Sequence, residues 1–163
     1  MSFRSKILIA IQFICFGYFA FFQKIVGSGT LLILQLAGLV LCLWSIYVMQ
    51  IGNFNVQPEV KTGARLISVG PYKLIRNPMY TGLLIIFSIG LISNFTWISL
   101  FFFILLCMVF VLKIRDEERY LEISFGKQYS AYKRKTFRMI PYVWWVPSIR
   151  FSTLLINKFR RPC

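Results

Sequence analysis

Two polar runs carry most of the chemistry that this 163-residue chain can offer. The first is Gly70-Pro-Tyr-Lys-Leu-Ile-Arg-Asn-Pro-Met-Tyr-Thr-Gly82, set between two apolar stretches. The second is Asp116-Glu117-Glu118-Arg119, at the end of another apolar stretch. The chain has only five acidic residues, and three of them are consecutive here. Ionisable groups beside a bilayer are costly, so a functional site is the first hypothesis for both runs. There is no histidine, which excludes a histidine base and histidine metal ligands. The remaining groups are carboxylates, guanidiniums and phenols. A third candidate, Arg138, could neutralise a substrate carboxylate as a catalytic residue, or equally bind a lipid headgroup.

These residues must be held by apolar helices. The apolar fraction is 58%, gathered in long runs, which indicates an all-α, polytopic membrane helix bundle forming a single domain over residues 1–163. Four spans are expected, at about Ile7 to Phe22, Leu31 to Ile51, Tyr80 to Ile92 and Thr96 to Ile114. A bilayer core of about 30 Å needs roughly 20 residues of helix, so the third is short. Ser93-Asn94 makes a tight turn that pairs the last two as a hairpin. The net charge of +14 does not indicate nucleic acid: the cations flank apolar spans, where they set topology and meet anionic lipid. Cys15, Cys42 and Cys107 lie within spans and Cys163 is terminal, a spacing that suggests neither a zinc site nor a disulfide framework. The basic start and first apolar stretch lack a small-residue cleavage site and read as a retained span. The ending is not a prenylation box.

Charge placement sets the expected orientation. Arg4 and Lys6 precede the first span. Lys61, Arg65, Lys73 and Arg76 lie between the second and third. Twelve of the nineteen cations follow from Lys113 onward. The positive-inside rule puts both termini and the middle connection in the cytoplasm, which requires an even number of spans. Both polar runs then share the cytoplasmic side.

Beyond the fourth span, residues from about Lys113 to Phe125 are expected to continue as helix and stop at Gly126. At about 100° per residue, Ile114, Leu121 and Phe125 share an inward face. Glu117 and Glu118 flank it on opposite edges, and Asp116 points away into solvent. Each feature also has a plainer reading. Asn77 and Pro78 are expected to start the third helix as cap and first-turn proline. The two glutamates could pair with Lys113 or Arg115 at helical spacing. Tyr129, Tyr132, Trp144 and Trp145 read as interface anchors, with Ile140 to Pro147 on the membrane surface. Lys133 to Lys135 form a headgroup patch, and Phe101 to Phe103 are lipid-facing or core surface.

The spaced pattern Gly70-Pro71-Tyr72, Arg76-Asn77-Pro78-Met79-Tyr80 and Gly82, then Glu117-Glu118, Leu121, Phe125-Gly126, Tyr129 and Tyr132, then Arg138, Ile140 and Pro141, resembles the isoprenylcysteine carboxyl methyltransferase and phospholipid methyltransferase superfamily. The resemblance covers about residues 50–141. It implies a helical membrane bundle with a cytoplasm-facing pocket for S-adenosyl-L-methionine and a lipid-like or prenylated small-molecule substrate arriving from the bilayer. It also implies that Tyr72, Arg76, Asn77, Pro78, Tyr80, Glu117 and Glu118 surround the cofactor. Asn77 stands where eukaryotic members have histidine. This resembles bacterial members and implies a bacterial inner membrane.

The implied reaction suits the residues. Methyl transfer from a sulfonium is a direct displacement that needs alignment and exclusion of water. A carboxylate acceptor, the first choice, is already ionised at neutral pH. An amine acceptor must lose a proton, to a tyrosine or glutamate. Two other classes stay open: an NADPH-dependent, steroid-reductase-like membrane enzyme, and a non-catalytic membrane scaffold. The glutamate pair argues against a phosphate-bearing cofactor. A scaffold leaves residues 70–82 with nothing to do beyond starting a helix. Neither metal nor nucleic acid is expected.

Overall fold

The computed structural model describes residues 3–23, 26–50 and 66–139. Their elements are α1 (Phe3–Phe22), α2 (Thr30–Gln50), a short 3-10 turn (Gly70–Lys73), α3 (Pro78–Ser93), α4 (Trp97–Phe125) and α5 (Lys127–Lys135). The fold is all-helical, as expected. In lipid every backbone polar group must be bonded within its own segment, and the long runs of Leu, Ile and Phe do this as helices. Helices α1, α2 and α4 are long and apolar enough to cross a membrane. Helix α3 has 16 residues, or about 24 Å at 1.5 Å per residue, shorter than the apolar thickness of a bilayer.

Local chemistry sets the helix ends. Thr96 caps α4, its hydroxyl oxygen accepting from the Ser99 amide at 3.1 Å. Gly126 stops α4 at φ 48° while its amide donates to the Glu122 carbonyl at 2.9 Å, a positive φ that glycine adopts without Cβ penalty. Pro78 opens α3, where its missing N–H is harmless. Asn77 sits at the cap position of α3 but its side chain caps nothing. That expectation is corrected: the amide is drawn away to the Arg138 carbonyl, 3.0 Å distant.

The helices pack as two pairs. Helix α2 lies along α3 so closely that a Cβ on Gly82 would stand 2.6 Å from the Gly38 carbonyl oxygen. Small residues permit this backbone approach in membranes, where van der Waals contact is a main source of association. Helix α1 runs antiparallel to α4. Tyr18 stacks on Phe102 with ring centroids 4.1 Å apart. Near this end Gln23 donates to the Asn94 carbonyl at 3.2 Å and also bonds Ser99. At the other end Arg4 meets Asp116 at 3.7 Å, so Asp116 is paired rather than simply solvated. Cys15, Phe19, Phe87, Leu106, Phe110 and Ile114 fill the space between the pairs. Large apolar side chains such as Ile33, Leu43, Ile98 and Phe101 face outward, which suits lipid. Helix α3 starts at the end of α4 that carries the glutamates and finishes at the turn where α4 begins.

Candidate functional site

The site grows from the polar half of α4. The helix continues unbroken past its apolar run, so Lys113, Glu117 and Glu118 stand on one rigid rod. Their phases send them to different neighbours. Glu118 is 5% exposed. It receives the Arg76 Nε on one oxygen at 3.1 Å and the Arg138 Nη2 on the other at 2.9 Å. A buried carboxylate is tolerable only when paired and hydrogen-bonded, and here two guanidiniums do both. Glu117 turns instead to α3, where the Tyr80 hydroxyl donates to its Oε1 at 2.6 Å. Its second oxygen has no hydrogen-bond partner among the described residues.

Arg76 ties three segments together. Besides Glu118, its Nη1 donates to the carbonyls of Lys133 at 2.9 Å and Thr136 at 2.6 Å. The segment 136–139 is thereby fastened against 74–81. The Arg76 amide donates to the Phe137 carbonyl at 2.8 Å, and the Phe137 amide to the Leu74 carbonyl at 2.9 Å, forming an isolated parallel bridge. The Thr81 hydroxyl lies 3.0 Å from the Met139 carbonyl and donates to it. Arg138 is thus brought beside the glutamates, although it lies 20 residues further along the chain than Glu118. Its Nε is buried and has no partner among the described residues.

Phenols line the frame. Tyr72 is buried and its hydroxyl reaches the Met49 sulfur at 3.5 Å. Its carbonyl accepts from the Tyr132 hydroxyl at 2.7 Å. Tyr129 is 1% exposed. Tyr129 is thus packed into the support of the site, and the half-buried Tyr132 joins that support through its hydroxyl. Burial pushes the Tyr72 and Tyr129 hydroxyls above the ordinary tyrosine value, and that of Tyr132 up to about 12. These groups stay protonated at neutral pH and act as donors, not bases.

All eight sequence-derived site residues fall at one end of the bundle. Tyr80, Glu117 and Lys113 form one group, the Lys113 ammonium lying 5.6 Å from the centre of the Tyr80 ring. Arg76, Glu118 and Arg138 form a second, and Asn77 and Pro78 join them through the start of α3. Tyr72 belongs to the frame through its carbonyl. The readings for Trp144, Trp145 and Ile140 to Pro147 lie outside the described residues, as do those for Lys24, Lys61 and Arg65. Sequence reasoning missed Thr81 and Thr136 as clamps. It also missed Gln12 of α1, whose Oε1 accepts from Lys113 at 2.9 Å. A signal for Gln12 was present: it is the one amide side chain between Ile7 and Phe22, and a polar group within a span needs a partner.

A carboxylate, a phenol bonded to it and a nearby ammonium stand together at this end of the bundle, a set of groups that could meet a polar, charge-bearing ligand. No curated protein matches the chain. The sequence pattern of the phospholipid methyltransferase family matches residues 22–128, which contain α2, α3, α4 and both polar runs. The match spans well over half of the chain, so this integral membrane protein belongs to the phospholipid methyltransferase family.

Proposed function

We propose that the protein transfers a methyl group from S-adenosyl-L-methionine to the polar head of a lipophilic acceptor, a carboxylate first, at the cytoplasmic face of the membrane. The observation that carries this reading is the division of the adjacent glutamates. Glu118 is spent on the two guanidiniums that build the site, whereas the second oxygen of Glu117, beside Tyr80, has no hydrogen-bond partner among the described residues. That anionic acceptor fits the cofactor, whose sulfonium and ammonium are cations and whose ribose offers hydroxyls. When bound, the cofactor supplies an electrophilic methyl group.

The chain's own part is to bind, orient and exclude water. Glu117 offers an acceptor to a cationic or hydroxyl group. Tyr80 fixes the direction of that carboxylate. Arg76, Asn77 and Pro78 hold the start of α3 against segment 136–139, and Tyr72 anchors the turn before it. The buried Arg138 Nε, which has no partner among the described residues, is a donor suited to an acceptor oxyanion. A carboxylate acceptor needs no base, which agrees with phenols held in their neutral form. The cytoplasmic assignment rests on the positive-inside rule applied to the cations around both runs. The lipid-like or prenylated nature of the acceptor rests on the apolar walls.

Calorimetry on the protein in nanodiscs tests the reading. S-adenosylmethionine or S-adenosylhomocysteine should bind at micromolar to sub-millimolar levels. Binding of NADPH and of neither methionine derivative would replace it with the reductase alternative.

A further inference from the structure

Helix α1 lies almost wholly before residue 22, where the family match begins. It nevertheless reaches the site. Gln12 Oε1 accepts from the Lys113 ammonium at 2.9 Å. That ammonium lies over the Tyr80 ring at 5.6 Å, within the range of a cation–π attraction. Tyr80 in turn donates to Glu117 at 2.6 Å. Glu117 is also one helical turn from Lys113, so opposite charges face each other along α4. The four side chains make one continuous chain of contacts across α1, α4 and α3.

Without Gln12 the lysine has an easier course. A long lysine near a membrane boundary extends its ammonium toward headgroups and water. Gln12 gives it a reason to stay on the Tyr80 ring. We propose that α1 is a working part of the site, with Gln12 as a positioning residue that holds Lys113 on Tyr80 and so sets the Tyr80–Glu117 pair for the ligand. This inference rests on the methyltransferase reading for the identity of that ligand. The placement of Lys113 itself is independent of it.

Two measurements on the full chain in nanodiscs test the proposal. The first is the rate of reductive dimethylation of Lys113, followed by mass spectrometry without cofactor. The second is S-adenosylhomocysteine affinity. Gln12→Leu should label Lys113 several-fold faster and weaken affinity roughly tenfold, the effect of one charge-assisted hydrogen bond. Gln12→Glu, which keeps an acceptor for the ammonium, should restore both. Ile14→Val, on an exposed face of α1, should change neither, and Lys113→Met should make a further Gln12→Leu change silent. Thermal melting guards against misfolding, and rescue by Gln12→Glu separates positioning from mere packing. Unchanged Lys113 labelling in Gln12→Leu overturns the positioning role. Faster labelling with affinity within twofold of wild type overturns the link to the ligand. A wild-type protein that binds no S-adenosylhomocysteine overturns the methyltransferase reading, which the wild-type titration shows by itself.

Discussion

At the scale of single residues, Glu117 and Glu118 separate by what they touch. Glu118→Gln removes the charge that compensates Arg76 and Arg138 within a nearly closed environment. Breaking such a buried pair costs on the order of 3–5 kcal/mol, so the variant should melt well below wild type. Glu117→Gln keeps a partner for Tyr80 and should melt close to wild type, yet bind S-adenosylhomocysteine roughly ten- to a hundredfold more weakly. The reverse pattern in melting and calorimetry would exchange their roles. Asp116→Asn should leave both measurements nearly unchanged, because its pairing with Arg4 is long and largely exposed. The identities of these residues were legible in the sequence; the division of labour was not. Helical phase set both glutamates at the edges of one stripe, symmetrically. Which edge meets guanidiniums depends on where α3 and segment 136–139 arrive, a contact between residues far apart in the chain. Asn77 taught the same lesson, since a cap is a local preference and the Arg138 carbonyl is a distant competitor for the same amide.

At the scale of elements, the Gly38–Gly82 crossing is the tightest constraint. Gly82→Ala would drive a methyl group into the Gly38 carbonyl and the Cys42 amide. Overpacking of this kind costs about 1–3 kcal/mol, and thermal melting in detergent should show the loss. Gly17→Ala in α1, where a Cβ meets nothing, should be neutral or slightly stabilising through helix propensity. The existence of the apolar helices was legible because runs of that length have few alternatives in lipid. Their partners were not. Periodicity reports which residues are apolar, but nearly every face of these spanning helices is apolar, so the α2–α3 contact could not be read from it. The continuation of α4 to Gly126 was legible, since a glycine stop after a charged helical stretch is a strong local signal.

At the scale of the whole molecule, orientation can be tested directly. Reporter fusions after Lys24 and after Asn94 should report the outside, and fusions after Lys61 and at Cys163 the cytoplasm. An external signal at Lys61 would part the site from the cytosolic supply of cofactor. The 29 residues of α4 give a rod of about 43 Å, longer than the roughly 30 Å hydrocarbon layer. Its apolar part comes first, so the excess length raises Glu117 and Glu118 to headgroup depth. For the lipid acceptor proposed above, this depth suits a meeting of the reaction partners at the membrane surface. The tails can stay dissolved in the bilayer while only the head is presented. Pulling out a sixteen-carbon chain would cost about 13 kcal/mol at 0.8 kcal/mol per methylene, and this arrangement avoids that extraction. The bilayer then acts as a two-dimensional reservoir, in which acceptor and methylated product exchange by lateral diffusion and turnover follows their mole fraction in the membrane rather than their concentration in water.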